Sequence, residues 1–402
     1  MMYTIGLFFP AINAHFIKIL AICVLLFMVL QANNAIASAV CAPVSWPLWE
    51  QFKVNYIESS GRVIAGNSRQ IESFSEGQAY GMMFALIAND PETFELLWKW
   101  SVANLAQGNI EARLPAWNWG EANDGTWKIL DENSASDADL WYAYALLEAG
   151  RSWQRNDYIA DAKKILAQVK TKAIVTLPGL GKMILPGQIG FAFIPNQWLL
   201  NPSYLPISIL RRFATFDSNG PWDELAKNSA KMITASSPKG FAPDWVGYQG
   251  LSPISGKFIV DPNKGDIGSY DAIRVYLWAG MTDANDPLTQ PILKSLQGME
   301  KILKSNSTPP ERVNTVNGVP SGAGPVGFSA ALLPYLKAIN KSDLLQAQLE
   351  RVKNMLLTKP LPVYYDSVLN LFGIGWFENR YRFSSNGLIS LNWNQACTQK
   401  IN

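Results

Sequence analysis

The chain has 402 residues, of which 48% are hydrophobic and 16% charged, with a formal net charge of +2. That composition supplies a sizeable core and excludes general disorder, and it leaves no basic footprint for nucleic acid or an anionic membrane. A single histidine and three cysteines narrow the chemistry further, while fifteen tryptophans suit either a packed core or a cleft that stacks flat ligands.

The N-terminus reads as a targeting segment. Lys18 precedes an apolar run, Ile19 to Leu30, and then small residues ending Ala35-Ile36-Ala37-Ser38-Ala39. A run of that length is a signal-peptide core, since a membrane span needs about 20 residues. Cleavage is expected after Ala39, with Ala37 second, giving a periplasmic or secreted protein; an uncleaved anchor is the alternative. Removal of residues 1–39 takes away Lys18, Cys23 and His15, the only histidine. A chain without histidine cannot run a Ser-His-Asp or Cys-His mechanism or hold a His-ligated metal. Carboxylates remain for acid–base work, with no cofactor or metal required. Cys41 and Cys397 could form a disulfide in an oxidising compartment if the two ends lie close.

Beyond the leader the pattern is helical with little strand signal, and twelve helices are expected: 45–57, 76–89, 91–105, 137–150, 157–176, 202–215, 222–236, 270–281, 287–305, 327–339, 342–358 and 364–378. Two kinds alternate. Some are apolar on every side, as over Ala138 to Leu147, Tyr270 to Met281 and Phe328 to Leu336. Others are amphipathic, as in Leu345, Leu349, Val352 and Leu356 with Gln346, Glu350, Arg351 and Lys353 facing out. Inner-to-outer turns are short and carry start signals, Asp90-Pro91, Gly220-Pro221 and Asp286-Pro287. Connections into the next inner helix are long: 58–75, 106–136, 177–201, 237–269 and 306–326, with 359–363 the short exception. Loops of that length in a compact domain are usually functional. No Ser/Gly-rich linker interrupts 40–402, so one domain is expected. The class is all-α, an (α/α) six-hairpin barrel whose long loops form a cleft on one face.

Those loops and the helix starts they feed hold the chemistry. Ser73-Phe74-Ser75-Glu76 puts a carboxylate where a polar loop enters an apolar helix, although Ser73 with Glu76 also matches the S-x-x-E capping box. The second loop carries Trp117, Asn118, Trp119, Glu121, Asp124 and Trp127 and leads into Ser136-Asp137-Ala138-Asp139. The third leads through Gln197-Trp198 to Asn201-Pro202-Ser203-Tyr204. The fourth carries Asp244-Trp245 and leads into Ser269-Tyr270-Asp271-Ala272-Ile273-Arg274. Taken singly, each acid has a plain explanation as first-turn Asp or Glu favoured by the helix dipole, and each tryptophan as core. Asp139 points away from Asp137 on a helix and is expected to be structural. Three carboxylates at inner-helix starts with tryptophans between them suit glycoside hydrolysis, which needs a protonated acid for the leaving oxygen and a second carboxylate for water or carbon.

The motifs Ser75-Glu76-Gly77-Gln78-Ala79-Tyr80-Gly81-Met82, Ala135-Ser136-Asp137-Ala138-Asp139 and Gly268-Ser269-Tyr270-Asp271-Ala272 resemble those of glycoside hydrolase family 8. Over residues 41–393 the likeness is to the branch whose endo-1,4-β-glucanases are encoded with bacterial cellulose synthases; Leu177-Pro178-Gly179-Leu180-Gly181, Phe241-Ala242-Pro243-Asp244-Trp245-Val246 and Gly324-Pro325-Val326-Gly327-Phe328-Ser329 carry it. The resemblance implies a six-hairpin (α/α) barrel and hydrolysis with inversion. It matches Glu76 to the general acid, Asp271 to the general base and Asp137 to the signature aspartate, expected to hold the distorted sugar. Tyr204, Tyr270 and Arg274 match cleft-lining positions, and Trp117, Trp119 and Trp198 are the expected sugar platforms. The implied partners are a β-1,4-glucan and a cellulose synthase complex, with no membrane contact after leader cleavage. Xylan or chitosan as substrate, or a noncatalytic glycan-binding role, are the alternatives; Glu121 and Asp124 keep chitosan open.

Overall fold

The computed structural model describes residues 45–65, 71–193, 195–358 and 363–394. The expected leader, Cys41, Cys397 and most of the 359–363 connection lie outside the described residues.

The helices are α1 (Pro47–Tyr56), α2 (Ser75–Ala88), α3 (Pro91–Trp100), α4 (Ser136–Ser152), α5 (Asn156–Lys172), α6 (Ile207–Phe216), α7 (Trp222–Ser236), α8 (Ala272–Met281), α9 (Thr289–Ser295), α10 (Gly298–Ser305), α11 (Val326–Ala338), α12 (Ser342–Thr358) and α13 (Tyr364–Phe377). Every expected helix is present within a few residues, and two are broken. The one expected over 202–215 divides into a 3-10 turn, Pro202–Tyr204, and α6, because Pro206 lacks the N–H that a continuous helix needs and pushes Leu205 out of the helical region. The one expected over 287–305 divides into α9 and α10. There Gly298 N–H leaves the helix to donate to the Gly240 carbonyl at 3.0 Å, and Phe241 fills the place a side chain at 298 would take. The start signal at Asp90-Pro91 works as expected, with the Asp90 carboxylate accepting from Thr93 N–H.

Along α2, α8 and α11 nearly every residue is buried, which is why these helices read as apolar all round. Each packs on the next of its kind: α2 on α4, α4 on α6, α6 on α8, α8 on α11 and α11 on α13. α13 returns to α2 through Phe372, whose ring lies 4.6 Å from Phe84 and 5.0 Å from Tyr80. The same ring touches Trp141 of α4 and Trp278 of α8, so one aromatic cluster ties four helices together. Two glycines permit the closest crossings: a side-chain carbon at Gly280 would strike the Tyr335 backbone, and one at Gly373 the Ala330 carbonyl. Half-buried helices return on the outside, each against its inner partner, as α3 against α2, α5 against α4 and α12 against α11.

The long connections are where expectation fails. Instead of structureless loops they hold short antiparallel strands: β1 (Ser73–Phe74), β2 (Ala116–Glu121) and β3 (Trp127–Ser134) in one sheet; β4 (Ile174–Leu177) with β5 (Gly181–Ile184); β6 (Ala192–Phe193), β7 (Gln197–Leu200), β8 (Val246–Ser252) and β9 (Ser255–Ile259) in a four-stranded sheet; and β10 (Ile267–Gly268), β11 (Arg312–Asn314) and β12 (Pro320–Ser321). A last hairpin, β13 (Tyr381–Phe383) with β14 (Ile389–Leu391), follows α13. Most span two to five residues, too few for alternation to register, and the longest pair carries register shifts at Ala116/Asn118 and Asn118/Trp119 that scramble it.

Candidate active site

Four inner-helix starts converge on one side chain. Arg274, in the first turn of α8 and 3% exposed, sends Nη1 to Glu76 Oε2 at the start of α2 and, at 3.4 Å, to Asp137 Oδ2 at the start of α4. Its Nη2 donates to Asp271 Oδ1 at 2.6 Å, one turn back on its own helix. Tyr204, from the 3-10 turn before α6, lies under the guanidinium at 5.7 Å. The expected meeting of Glu76, Asp137, Asp271, Arg274 and Tyr204 is therefore seen in the geometry.

Exposure separates the three acids. The side chains of Glu76 and Asp271 are 24% and 28% exposed, whereas Asp137 is 2% exposed and lies beneath them. Burial foremost, then the charge of Glu76, pushes the Asp137 carboxyl well above the usual range, with Arg274 pulling partly back. Burial opposes the Arg274 charge as well, but Glu76 and the other surrounding acids more than offset it. A single guanidinium facing three carboxyl groups cannot neutralise them all, which together with burial favours a proton on Asp137.

The capping box does not form. Ser73 Oγ accepts from Arg62 Nε at 2.7 Å, Phe74 takes the N-cap position without a side-chain cap, and Glu76 is spent on Arg274. Gln78 fixes this helix start instead: its Oε1 accepts from Val63 N–H, and its Nε2 donates to the carbonyls of Gly61 and Leu97.

The expected sugar platforms divide. Trp117 is 36% exposed and stacks on Phe74 with centroids 5.6 Å apart and planes 9° from parallel, a flat surface beside Glu76 in the chain. Tyr270 is 43% exposed, leans on Phe328 and Tyr365, and reaches Glu311 with its hydroxyl. Trp119 is packed among Trp100, Trp127 and the Arg62 guanidinium, and Trp198 packs on Tyr248. These two rings are held by protein partners.

Three further residues belong to the cluster. Tyr80 Oη accepts from Arg274 Nη1 at 3.1 Å; its position one turn after Glu76 on α2 was the signal for it. Tyr365, whose hydroxyl burial pushes far up, donates to the Tyr270 carbonyl. Asp244 accepts from two backbone N–H groups around Asp271. Asp139 stays apart: it is fully buried, and burial pushes its carboxyl well up, with Ser134 and Lys172 pulling partly back.

Comparison with known proteins gives a consistent result. Residues 23–379 match the family described as glycosyl hydrolases family 8. An endoglucanase of Xanthomonas axonopodis pv. citri (strain 306) is 47% identical over 369 residues, covering 90% of this chain and 93% of that protein. An endoglucanase of Escherichia coli (strain K12) is 42% identical over 361 residues, covering 90% and 95%. The crystal structure of endo-1,4-D-glucanase from Vibrio fischeri ES114 superposes with a TM-score of 0.78 at 38% identity, over 87% of this chain and 99% of that one.

Proposed function

The chain belongs to glycosyl hydrolase family 8, and from that premise we propose that it is an inverting endo-1,4-β-glucanase acting on cellulose-type glucan. The observation that carries the reading is the gathering of Glu76, Asp137 and Asp271 around Arg274, with the two outer acids reaching solvent and the third beneath them. The sequence of inner-helix contacts from α2 round to α13 and back supports the six-hairpin barrel as the frame.

In this reading Glu76 protonates the glycosidic oxygen as the bond to the anomeric carbon breaks. Asp271 takes a proton from water, whose oxygen bonds to that carbon from the opposite face. Turnover leaves Glu76 ionised and Asp271 protonated, and solvent exchange resets both. The proton that Glu76 delivers is drawn from the buried carboxyl beneath it: burial pushes Asp137 well up, and the basic leaving oxygen draws its proton across through Glu76. From beneath, Asp137 also organises the sugar beside the scissile bond. Trp117, Tyr270 and Tyr204 line the path of the chain, with Trp119 and Trp198 backing the loop sheets that carry it.

The nearest rival is the same chemistry on chitosan, which would want acids free for amino groups. Asp124 is spent inside its own turn, accepting from Thr126 N–H and pairing with Lys128, which favours the neutral glucan. The endoglucanase names of the relatives point the same way. The N-terminal pattern supports a periplasmic or secreted protein, and the likeness to enzymes encoded with cellulose synthases supports a role in cellulose biosynthesis; among the described residues no helix is long and apolar enough to cross a membrane. The test is NMR of the first products from a cello-oligosaccharide. Newly formed α-anomer is the expected result; β-anomer removes inversion, and absence of cleavage favours a noncatalytic glycan-binding protein.

A further inference from the structure

Helix α8 starts in an unusual way. Asp271 occupies its N-cap position, yet makes no side-chain cap bond; its carboxylate turns to Arg274 instead. The N–H groups left open are satisfied from another loop. Asp244 Oδ1 accepts from Ser269 N–H at 2.7 Å, two residues before Asp271, and from Ala272 N–H at 2.8 Å, one residue on from it. The Asp244 backbone is itself fixed, its N–H donating to the Ile267 carbonyl at 2.8 Å on β10. An uncapped Asp at a helix start ordinarily folds back onto its own N2 or N3 amide. Those two amides are taken by carbonyls, Ile273 N–H donating to Ser269 at 3.0 Å and Arg274 N–H to Asp271 itself at 3.1 Å, so the Asp271 carboxylate has no backbone partner to turn to.

We propose that Asp244 is a positioning residue for the reaction: from a neighbouring loop it clamps the backbone on either side of Asp271 at the start of α8 and so aims the Asp271 carboxylate to act as base. The inference rests on Asp271 being the base. The titratable groups facing Asp244 are Asp271 from α8, Tyr365 from α13 and, over the adjacent Trp245 ring at 5.0 Å, Lys264. Burial foremost, then the charge of Asp271, pushes the Asp244 carboxyl up to about 6, against the backbone N–H bonds that favour its ionised form.

The experiment compares Asp244→Ala, Asp244→Asn and Asp271→Asn on a soluble cello-oligosaccharide, with circular dichroism confirming the fold of each. Asp244→Ala loses the clamp, and kcat falls roughly 10²-fold with KM within about threefold, as expected of a misplaced group. Asp244→Asn keeps an oxygen for the same two N–H groups, so most of kcat returns. A purely structural Asp244 would lower the melting temperature of Asp244→Ala and leave kcat per folded molecule unchanged. Wild-type kcat in Asp244→Ala, or kcat in Asp244→Asn as low as in Asp244→Ala, overturns the proposal; if Asp244→Ala fails to fold, Asp244→Ser, too short to hold both N–H groups, takes its place with the same outcomes. Activity surviving in Asp271→Asn would instead overturn the assignment of the base, whatever Asp244 does.

Discussion

Helix α4 carries a buried acid at each end, and the two are treated in opposite ways. Near its C-terminal end, Glu148 is fully buried among two arginines: Oε1 accepts from Arg212 Nε, and Oε2 from Arg151 Nη2 at 2.8 Å and from Ile389 N–H at 3.2 Å. Every lone-pair direction that matters is used, and cations outnumber the anion. At the N-terminal end, Asp137 shares one arginine with two other acids, and Arg274 Nε is buried without a partner among the described residues. The first arrangement stabilises the protein by tying α4 to α6 and the β13–β14 hairpin. The second leaves anions in excess and a proton to move. Two clusters of similar composition thus differ in saturation, and that difference separates the structural cluster from the proposed catalytic one.

Substitution should separate them. Glu76→Gln and Asp271→Asn are expected to lower kcat on carboxymethylcellulose by about 10³-fold or more while the melting temperature stays close to wild type. Near-wild-type rates from either would end the distinction. Glu148→Ala should do the reverse, costing about 3–5 kcal/mol in urea unfolding because two arginines lose their acceptor, with kcat per folded molecule unchanged.

Asp137→Asn sharpens the contrast through pH. Without the buried carboxyl that holds the proton, the basic limb of the pH–rate profile should move down; a limb that stays put removes Asp137 as the proton store. Stability supplies a second readout. The folded-state affinity of Asp137 for its proton lies above the unfolded value, so its contribution is full below about pH 4 and is lost as pH rises through the folded value. The Asn variant should therefore melt at a higher temperature relative to wild type in alkaline buffer than in acid. The smallest effect belongs to the rim: Trp117→Ala removes the ring stacked on Phe74 and should raise KM several-fold, by about 1 kcal/mol, with little change in kcat.

The helices were legible because an inner helix with no polar face and an outer one with a stripe leave different periodicities, and both survive in the structure. The three acids were legible as side chains at the starts of apolar helices, where position alone sends them to one end of the packing. Less could be read where geometry depends on the partner. Trp117 and Trp119 are two apart on one strand and would share a face, but the shifts beside Asn118 break the alternation, so one ring stays open and the other packs on Arg62. The capping box was a correct local pattern overridden by two arginines, Arg62 and Arg274, that lie 11 and 198 residues from the side chains they claim. Asp244 gave no signal as a cap, because its helix lies beyond three strands in the chain.

The rings around Phe372 have a further meaning for a polymer substrate. Tyr80, Phe84, Trp141 and Trp278 interlock with it on the inner helices, whose starts carry the acids. They make a solid floor. On the proposed reading a glucan strand does not thread between these helices; it is laid across the open side like a cable in a trough, and both new ends leave by the route along which the strand arrived.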